Sequence, residues 1–315
     1  MQPCGKVKKN MIGREAIDGC RGYARSLSVG FMAVVSIVVR TKDRAVFLRR
    51  ALASIALQND PLVEVVVVND GGSVAEVEAV VAGAREAGLA VNLVNHAISL
   101  GRGAAWNAGW RMAKGEWLAA LDDDDTWAPD FLSSVRAEID ARGGGSGFGV
   151  ATQSMEIRER AVNGRWEEVE RIPFNPMLQT VRVRDLVLFN RFTNNAFVFH
   201  RAALAEVGGV KEHMDVLEDW DFNARFAVHF PIHVVARPLA HYHKRPPGGG
   251  GPWANSDLAR HLAAADEMRE AWLREDLKAG RWGLGSFAIL TEIETNRGLR
   301  LFNRLAAWWH RVKRG

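Results

Sequence analysis

From Val34 onward, apolar and polar positions along the chain fall into a repeating two-part pattern. "VVSIVV" (34–39) is a short run rich in β-branched residues, which suits a strand covered on both faces. "AVFLRRALASIALQ" (45–58) spaces its apolar residues as one face of a helix does. The pair then recurs. "VEVVVVND" (63–70) predicts a second buried strand, ending in the turn signal Asn-Asp-Gly-Gly. "SVAEVEAVVAGAREAG" (73–88) predicts a helix capped by Ser73, with Glu76 three residues on. "AVNLVNH" (90–96) predicts a third strand, "RGAAWNAGWRMAKG" (102–115) a helix closed by Gly115, and "EWLAALDDDD" (116–125) a fourth strand. This alternation predicts an α/β fold with a Rossmann-like, mostly parallel sheet flanked by helices. Ligands of such sheets bind beyond the carboxyl ends of the strands. Asp70 and the acids at 122–125 fall there.

After "GGGSG" (143–147) the pattern changes. Segments 149–160 and 166–172 alternate as a hairpin does, and "NNAFVFHRAALAEVGGV" (194–210) predicts a strand followed by a helix. "EDWDFNARFAVHF" (218–230) is an amphipathic helix with acids in its first turn. "HVVARPLAHYH" (233–243) is extended, "RPPGGGGP" (245–252) is a loop, and the Trp-rich remainder is helical. The expected organisation is a basic tail (1–31), one α/β domain (32–252) with halves at 32–130 and 148–245, and a helical extension (253–315).

Charge and cysteine content narrow the setting. Cys4 and Cys20 both lie in the tail, which excludes a disulfide framework or a cysteine metal site in the domain and fits a reducing compartment. The net charge of +4 is modest, but the ends are basic: residues 1–30 carry six Lys/Arg against two acids, and residues 297–315 carry six against none. Leu301, Phe302, Leu305, Trp308, Trp309 and Val312 form one helical stripe flanked by Arg300, Arg304, Arg311 and Lys313. Such a stripe suits either an anionic membrane surface or packing within protein. No stretch approaches the ~20 apolar residues of a spanning helix, and no leader pattern is read at the N-terminus. The expected location is cytoplasmic, with peripheral contact to the inner face of the membrane, and nucleic acid is not an expected partner. No G-x-G-x-x-G follows the first strand, which argues against a nicotinamide enzyme.

"LDDDDTW" (121–127) places four carboxylates together at the end of a buried strand. Adjacent carboxylates repel, and burying them costs several kcal/mol unless donors or a cation compensate. The run is either a solvated turn or the surround of something positive. Aspartates at a strand end are hard oxygen ligands suited to Mg²⁺ or Mn²⁺ shared with substrate phosphates. The same run matches the Asp-x-Asp-x-Thr pattern of haloacid-dehalogenase-like phosphatases. That pattern normally follows the first strand, whereas three strand–helix units precede it here.

The ordered set "VVSIVVRTKDR", "VEVVVVNDGG", "GRGAAWNAGWRMAKGEWLAALDDDDTWAPDFL", "VFHRAALAEVGGV" and "EDWDFNARFA" resembles family 2 glycosyltransferases of the GT-A fold over roughly residues 33–245. The resemblance implies an inverting transfer from a nucleotide-sugar (UDP-, dTDP- or GDP-linked) to a glycan or lipid-linked acceptor, with Mn²⁺ or Mg²⁺ as cofactor. It implies Asp219 as catalytic base, with Glu218 and Asp221 in reserve. Asp70 is the acid expected at the nucleoside, and Thr41, Lys42, Asp43, Arg102 and Asp123 are further donor contacts. Asp122 and Asp124 match the family's Asp-x-Asp motif. Asp124 is expected on the metal, and Asp122 on the ribose or a metal-bound water. His243, or His241, is expected to complete the metal site or meet the diphosphate. Asp125 is a candidate cap for the helix after Pro129. Asn195, Glu218 and Trp220, with Asn194, are candidates for the acceptor side, and Asn107 belongs to the family's G-R-x-x-x-x-N-x-G stretch. The chain departs from the family at Arg40-Thr41-Lys42-Asp43, where Pro-Thr-Tyr-Asn is usual. A non-catalytic sugar-nucleotide- or glycan-binding module is the alternative from another class.

Overall fold

A computed structural model describes residues 35–297, apart from residue 61, residues 246–254 and residues 256–257. The basic tail and the stripe at 301–312 lie outside the described residues. The first half follows the alternation read from the sequence: β1 (Val35–Thr41), α1 (Ala45–Ala56), β2 (Val63–Asp70), α2 (Val74–Glu86), β3 (Val91–His96), α3 (Arg102–Met112) and β4 (Trp117–Asp122). β1 is buried along its whole length and β2 nearly so, as their unbroken apolar runs require. The strands pair in parallel in the order β3-β2-β1-β4. α3 therefore crosses back over β2 and β1. It approaches closely because residue 109 is glycine: a Cβ there would run into the side chain of Val38.

The predicted fourth strand stops at Asp122. Asp125 N–H closes a turn on the Asp122 carbonyl at 3.0 Å. A short β5 (Thr126–Trp127) and α4 (Phe131–Ala141) follow. The second half comprises β6 (Gly149–Val162), β7 (Arg165–Pro173), α5 (Val183–Leu186), β8 (Phe197–His200), α6 (Leu204–Val207), α7 (Glu218–His229) and β9 (Ile232–Lys244). It completes one nine-stranded sheet. β8 pairs antiparallel with both β4 and β6, while β6 pairs in parallel with β9, so the sheet becomes mixed beyond β4. The hairpin of β6 and β7 forms as predicted.

α7 sits on β8 through an aromatic cluster. Phe222 and Phe226 lie 5.0 and 5.8 Å from Phe199, and Phe226 meets the edge of Phe197 at 5.1 Å. Each buried ring contributes about 1.5–3 kcal/mol, which fixes the helix whose first turn carries Glu218 and Asp219. α8 (Leu258–Ala279) docks through the buried Ala265, Met268 and Trp272, and residues 284–297 are helical. Among the described residues no helix is long and apolar enough to cross a membrane.

Two expected caps do not form. Ser73 makes no side-chain cap bond; its own N–H donates to Asp43 Oδ1 at 3.0 Å. Asp125 accepts from His243 N–H at 2.9 Å and does not cap α4, whose N-cap residue is Asp130.

Candidate active site

A cleft of about 700 Å³ opens beyond the carboxyl ends of β1, β2 and β4, as strand order places it. Its floor is the turn at 122–125, where four adjacent carboxylates point to different partners. Asp122 accepts from Arg40 Nε at 2.6 Å and from Asn194 Nδ2 at 3.4 Å. Asp123 is fully buried beneath the cleft, paired with Arg44 and accepting from Thr41 Oγ1 at 2.7 Å. Asp124 Oδ2 takes Arg245, Asn255 at 3.2 Å and Arg44 at 3.3 Å. Burial works against ionisation of Asp122, but Arg40, Arg102 and Arg44 outweigh it and bring the carboxyl down to about 2. Arginines thus compensate Asp122, whereas burial and the neighbouring acids push Asp123 up to about 7, against the pull of Arg44, and push Asp125 well above the usual carboxylate range.

Arg245 is fully buried, and it ties Asp124 to Glu159 of β6. Burial opposes the Glu159 charge as well, yet the His243 hydrogen bond and Arg50 hold this carboxyl down to about 2. His243 spends both ring nitrogens inside the protein, Nδ1 on Glu159 at 3.0 Å and Nε2 on Thr126 at 2.9 Å. It is not among the residues that line the cleft, where it was expected beside a metal. His241 is brought down to about 4 by burial, with Arg171 and His243 adding to the effect, and also does not line the cleft.

Asp122 and Asp124 do line the cleft. Among the described residues no cluster of three His, Cys, Asp or Glu side chains is placed to hold a metal. Two hard carboxylates at a strand end nevertheless fit a Mg²⁺- or Mn²⁺-type ion that takes its remaining ligands from substrate phosphate and water. They do not make a metal cage built from protein alone.

One end of the cleft is framed by Asp70, whose carboxylate accepts from His96, Ser99 Oγ (2.7 Å), Leu100 N–H (2.9 Å) and Gly101 N–H (3.0 Å). Burial opposes its charge, but these four donors hold it below the usual carboxylate range. Asp70 therefore shapes the loop at 96–101 as well as lining the cleft. Lys42 and Arg102 line the cleft, as does Thr41. Asp43 is spent on Ser73, and Asp123 lies beneath the surface, so neither is a lining residue. Asn107 pins the Val210 backbone through both its amide atoms. Asn255, Arg260 and His261 also line the cleft, from the segment expected to be a separate extension.

Beside the cleft stands the first turn of α7, where Asp219 lines a small recess with Asn194 and Asn223. Glu218 is buried and paired with Arg40 at 2.9 Å and Arg102 at 3.4 Å. Asp219 is half-buried and accepts from Asn190 Nδ2 at 3.1 Å. Burial and the adjacent Glu218 charge push its carboxyl up to about 6, against the pull of Arg102. Asp221 faces the other way: it accepts from Trp272 Nε1 and Arg225 Nε, each at 2.7 Å, and docks α8. Two residues expected on the acceptor side point into the protein. Asn195 is fully buried and donates to the His241 carbonyl at 3.0 Å, and Trp220 packs inward, bonded to the Leu186 carbonyl and covered by Arg269. Asn190 reaches Asp219, and Asn194 reaches Asp122.

The family model described as glycosyl transferase family 2 matches residues 36–207, more than half of the chain. The chain belongs to glycosyl transferase family 2. This glycosyltransferase is 27% identical over 265 residues to the uncharacterized glycosyltransferase YwdF of Bacillus subtilis, covering 82% of the chain and 89% of YwdF. It is 38% identical over 109 residues to the succinoglycan biosynthesis protein ExoO of Rhizobium meliloti, a match covering 35% of the chain and 30% of ExoO. Two solved structures share its fold. One is S. aureus TarS 1-349 in complex with UDP-GlcNAc (TM-score 0.54, 20% identity, 76% of this chain and 66% of that one). The other is the mannosyltransferase PcManGT of Pyrobaculum calidifontis in complex with GDP-Man and Mn²⁺ (TM-score 0.53, 18% identity, 89% and 84%). The fold is that of the GT-A glycosyltransferases.

Proposed function

We propose that this glycosyltransferase moves a sugar from a nucleoside-diphosphate donor to an acceptor hydroxyl with inversion at the anomeric carbon. The observation that carries the reading is the placement of Asp219. A carboxyl pushed up to about 6 lies within electrostatic reach of Asp122 and Arg102, both of which line the cleft. Its basicity suits a general base near neutral pH. In this reading Asp219 takes the proton of the acceptor hydroxyl as the oxygen attacks in line, and Asn190 holds one carboxylate oxygen so that the other is presented. Arg102, Lys42 and Arg44 supply positive charge to the departing diphosphate. Asp122 and Asp124 would hold a divalent cation, which when bound supplies Lewis-acid stabilisation of that leaving group. Asp70, Thr41 and Lys42 frame the nucleoside.

TarS binds UDP-GlcNAc and PcManGT binds GDP-Man; for this chain a UDP-, dTDP- or GDP-linked sugar is proposed. ExoO is a succinoglycan biosynthesis protein; for this chain a place in surface polysaccharide or lipopolysaccharide assembly, on a glycan or lipid-linked acceptor, is proposed. The basic C-terminal sequence supports work at the cytoplasmic face of a membrane. Residues 32–252 are proposed as the catalytic domain, with α8 contributing to its cleft. The test is incubation with a panel of nucleotide-sugars and Mn²⁺. Release of nucleoside diphosphate with an inverted anomeric product is expected. Release of inorganic phosphate would favour the phosphatase chemistry, and donor binding without turnover a binding module.

A further inference from the structure

Arg40 stands where family 2 glycosyltransferases usually have the proline of Pro-Thr-Tyr-Asn. It is the last residue but one of β1, the strand at the centre of the parallel half. Its guanidinium is buried and lies 4.9 Å over the ring of Trp106. It donates from Nε to Asp122 at 2.6 Å and from one terminal nitrogen to Glu218 at 2.9 Å. These acids belong to different halves of the molecule. Asp122 closes β4 on the donor side, and Glu218 opens α7, directly before Asp219. Among the described residues no other side chain hydrogen-bonds to both. The entry to α7 needs such a hold, because Leu217 has φ 66°, a left-handed conformation that a non-glycine residue keeps only where surrounding contacts impose it.

We propose that Arg40 is a positioning residue that sets Asp219 against the donor by clamping Glu218, and with it the first turn of α7, to Asp122. The inference rests on the reading of Asp219 as the base. A planar guanidinium spans two carboxylates at fixed angles, which neither a lysine nor a proline does. The charges facing Asp219 are Glu218 on its own helix, Asp122 from β4, Arg102 from α3 and, through the two bridged acids, Arg40 from β1. Asn190 on the remaining side is neutral, and so is the Tyr242 phenol from β9, which burial and the surrounding acids, Asp219 among them, push well above its usual value. Removing the Arg40 charge leaves Glu218 opposed by Arg102 alone, so Asp219 becomes harder to ionise. Replacing Arg40 by lysine keeps the charge and loses the geometry.

The experiment compares Arg40→Gln, Arg40→Lys and Asp219→Asn in the full chain, by melting temperature, donor affinity in calorimetry, kcat, and the pH profile of transfer. Arg40→Gln is expected to bind donor within about threefold of the parent and to lose about 10²-fold in kcat, the effect of a misplaced base. Its acid limb is expected to move up by about one pH unit. Arg40→Lys is expected to keep the parent's acid limb and still lose about tenfold in kcat. If Arg40→Gln fails to fold, Arg40→Lys carries the test. Parent-like kcat in either variant that folds, beside an inactive Asp219→Asn, overturns the clamp alone. So does a loss of donor binding that accounts for the whole loss of rate. Near-parent turnover in Asp219→Asn instead overturns the base assignment itself.

Discussion

Asp221 lies two residues from the proposed base, and its replacement separates a structural acid from a chemical one. The side chain is fully buried and accepts from Trp272 Nε1 and Arg225 Nε at 2.7 Å each, with Lys211 Nζ at 3.3 Å. In Asp221→Ala the buried indole N–H loses its acceptor, which costs about 1–3 kcal/mol. The bond to the charged Arg225 contributes about 1.5–3 kcal/mol more. Arg225 keeps the carbonyls of Val207 and Gly209, and Lys211 keeps Glu275, so neither cation is stranded. The net loss should be about 3–5 kcal/mol, the usual effect of removing one partner from a buried ionic group. At about 2 °C per kcal/mol for a domain of this size, the melting temperature should fall by about 6–10 °C. Calorimetry gives that number directly. Transfer measured well below the lowered transition should stay within about threefold of the parent, since no contact of Asp221 reaches the cleft. An unchanged melting temperature would refute the argument, and an unchanged melting temperature with lost activity would make Asp221 the base.

Transfer should fall as pH drops through about 6: the raised Asp219 carboxyl holds its proton where an ordinary carboxylate has lost it, and a protonated acid takes no proton from the acceptor. A kcat/KM profile flat from pH 8 to 5 would contradict this. Asp124→Asn keeps the size of the side chain and removes its charge, so Mn²⁺ should no longer strengthen donor binding in calorimetry. Parent-like enhancement by Mn²⁺ would remove Asp124 from the metal site. Deleting residues 298–315 should leave transfer to a soluble acceptor analogue intact and abolish flotation with anionic vesicles, each basic residue near such a surface contributing about 1 kcal/mol. Equal flotation of both proteins would show that the stripe does not bind lipid.

The parallel half was legible because strands buried on both faces leave unbroken β-branched runs, and "VVSIVV" and "VEVVVVND" admit little else. The place of the cleft followed from the same alternation. The direction in which each acid points did not. Within one turn Asp123 goes down to Arg44 while Asp122 and Asp124 face the cleft, and residue spacing does not encode that. Asp219 and Asp221 lie on different sides of α7 because two residues advance a helix by about 200°. Here a signal did exist, since Arg225 stands four residues after Asp221 and marks that acid as one side of an i, i+4 pair. Arg245 opens a stretch that reads as a glycine-rich loop, yet it is among the most deeply buried charges in the protein. Its partner Glu159 lies in a hairpin strand whose charged residues read as solvent-facing. Long-range ion pairs of this kind leave no periodic trace in the sequence.

The register of β6 against β9 carries a consequence for the order of assembly. Gly149 lies beside Ile232 and Arg158 beside Lys244, so β6 waits for almost all of the intervening chain before its parallel neighbour exists. On a ribosome the four strands of the first half emerge early and find one another over single helical crossovers, whereas contacts of longer sequence separation form late. Arg245 follows directly on β9 and reaches back to Asp124 and Glu159. A nascent chain therefore displays its aspartate turn before the buried cation that completes it has been made. The cleft matures with the last strand of the sheet, so a truncated or half-folded product would carry the four parallel strands without a finished cleft.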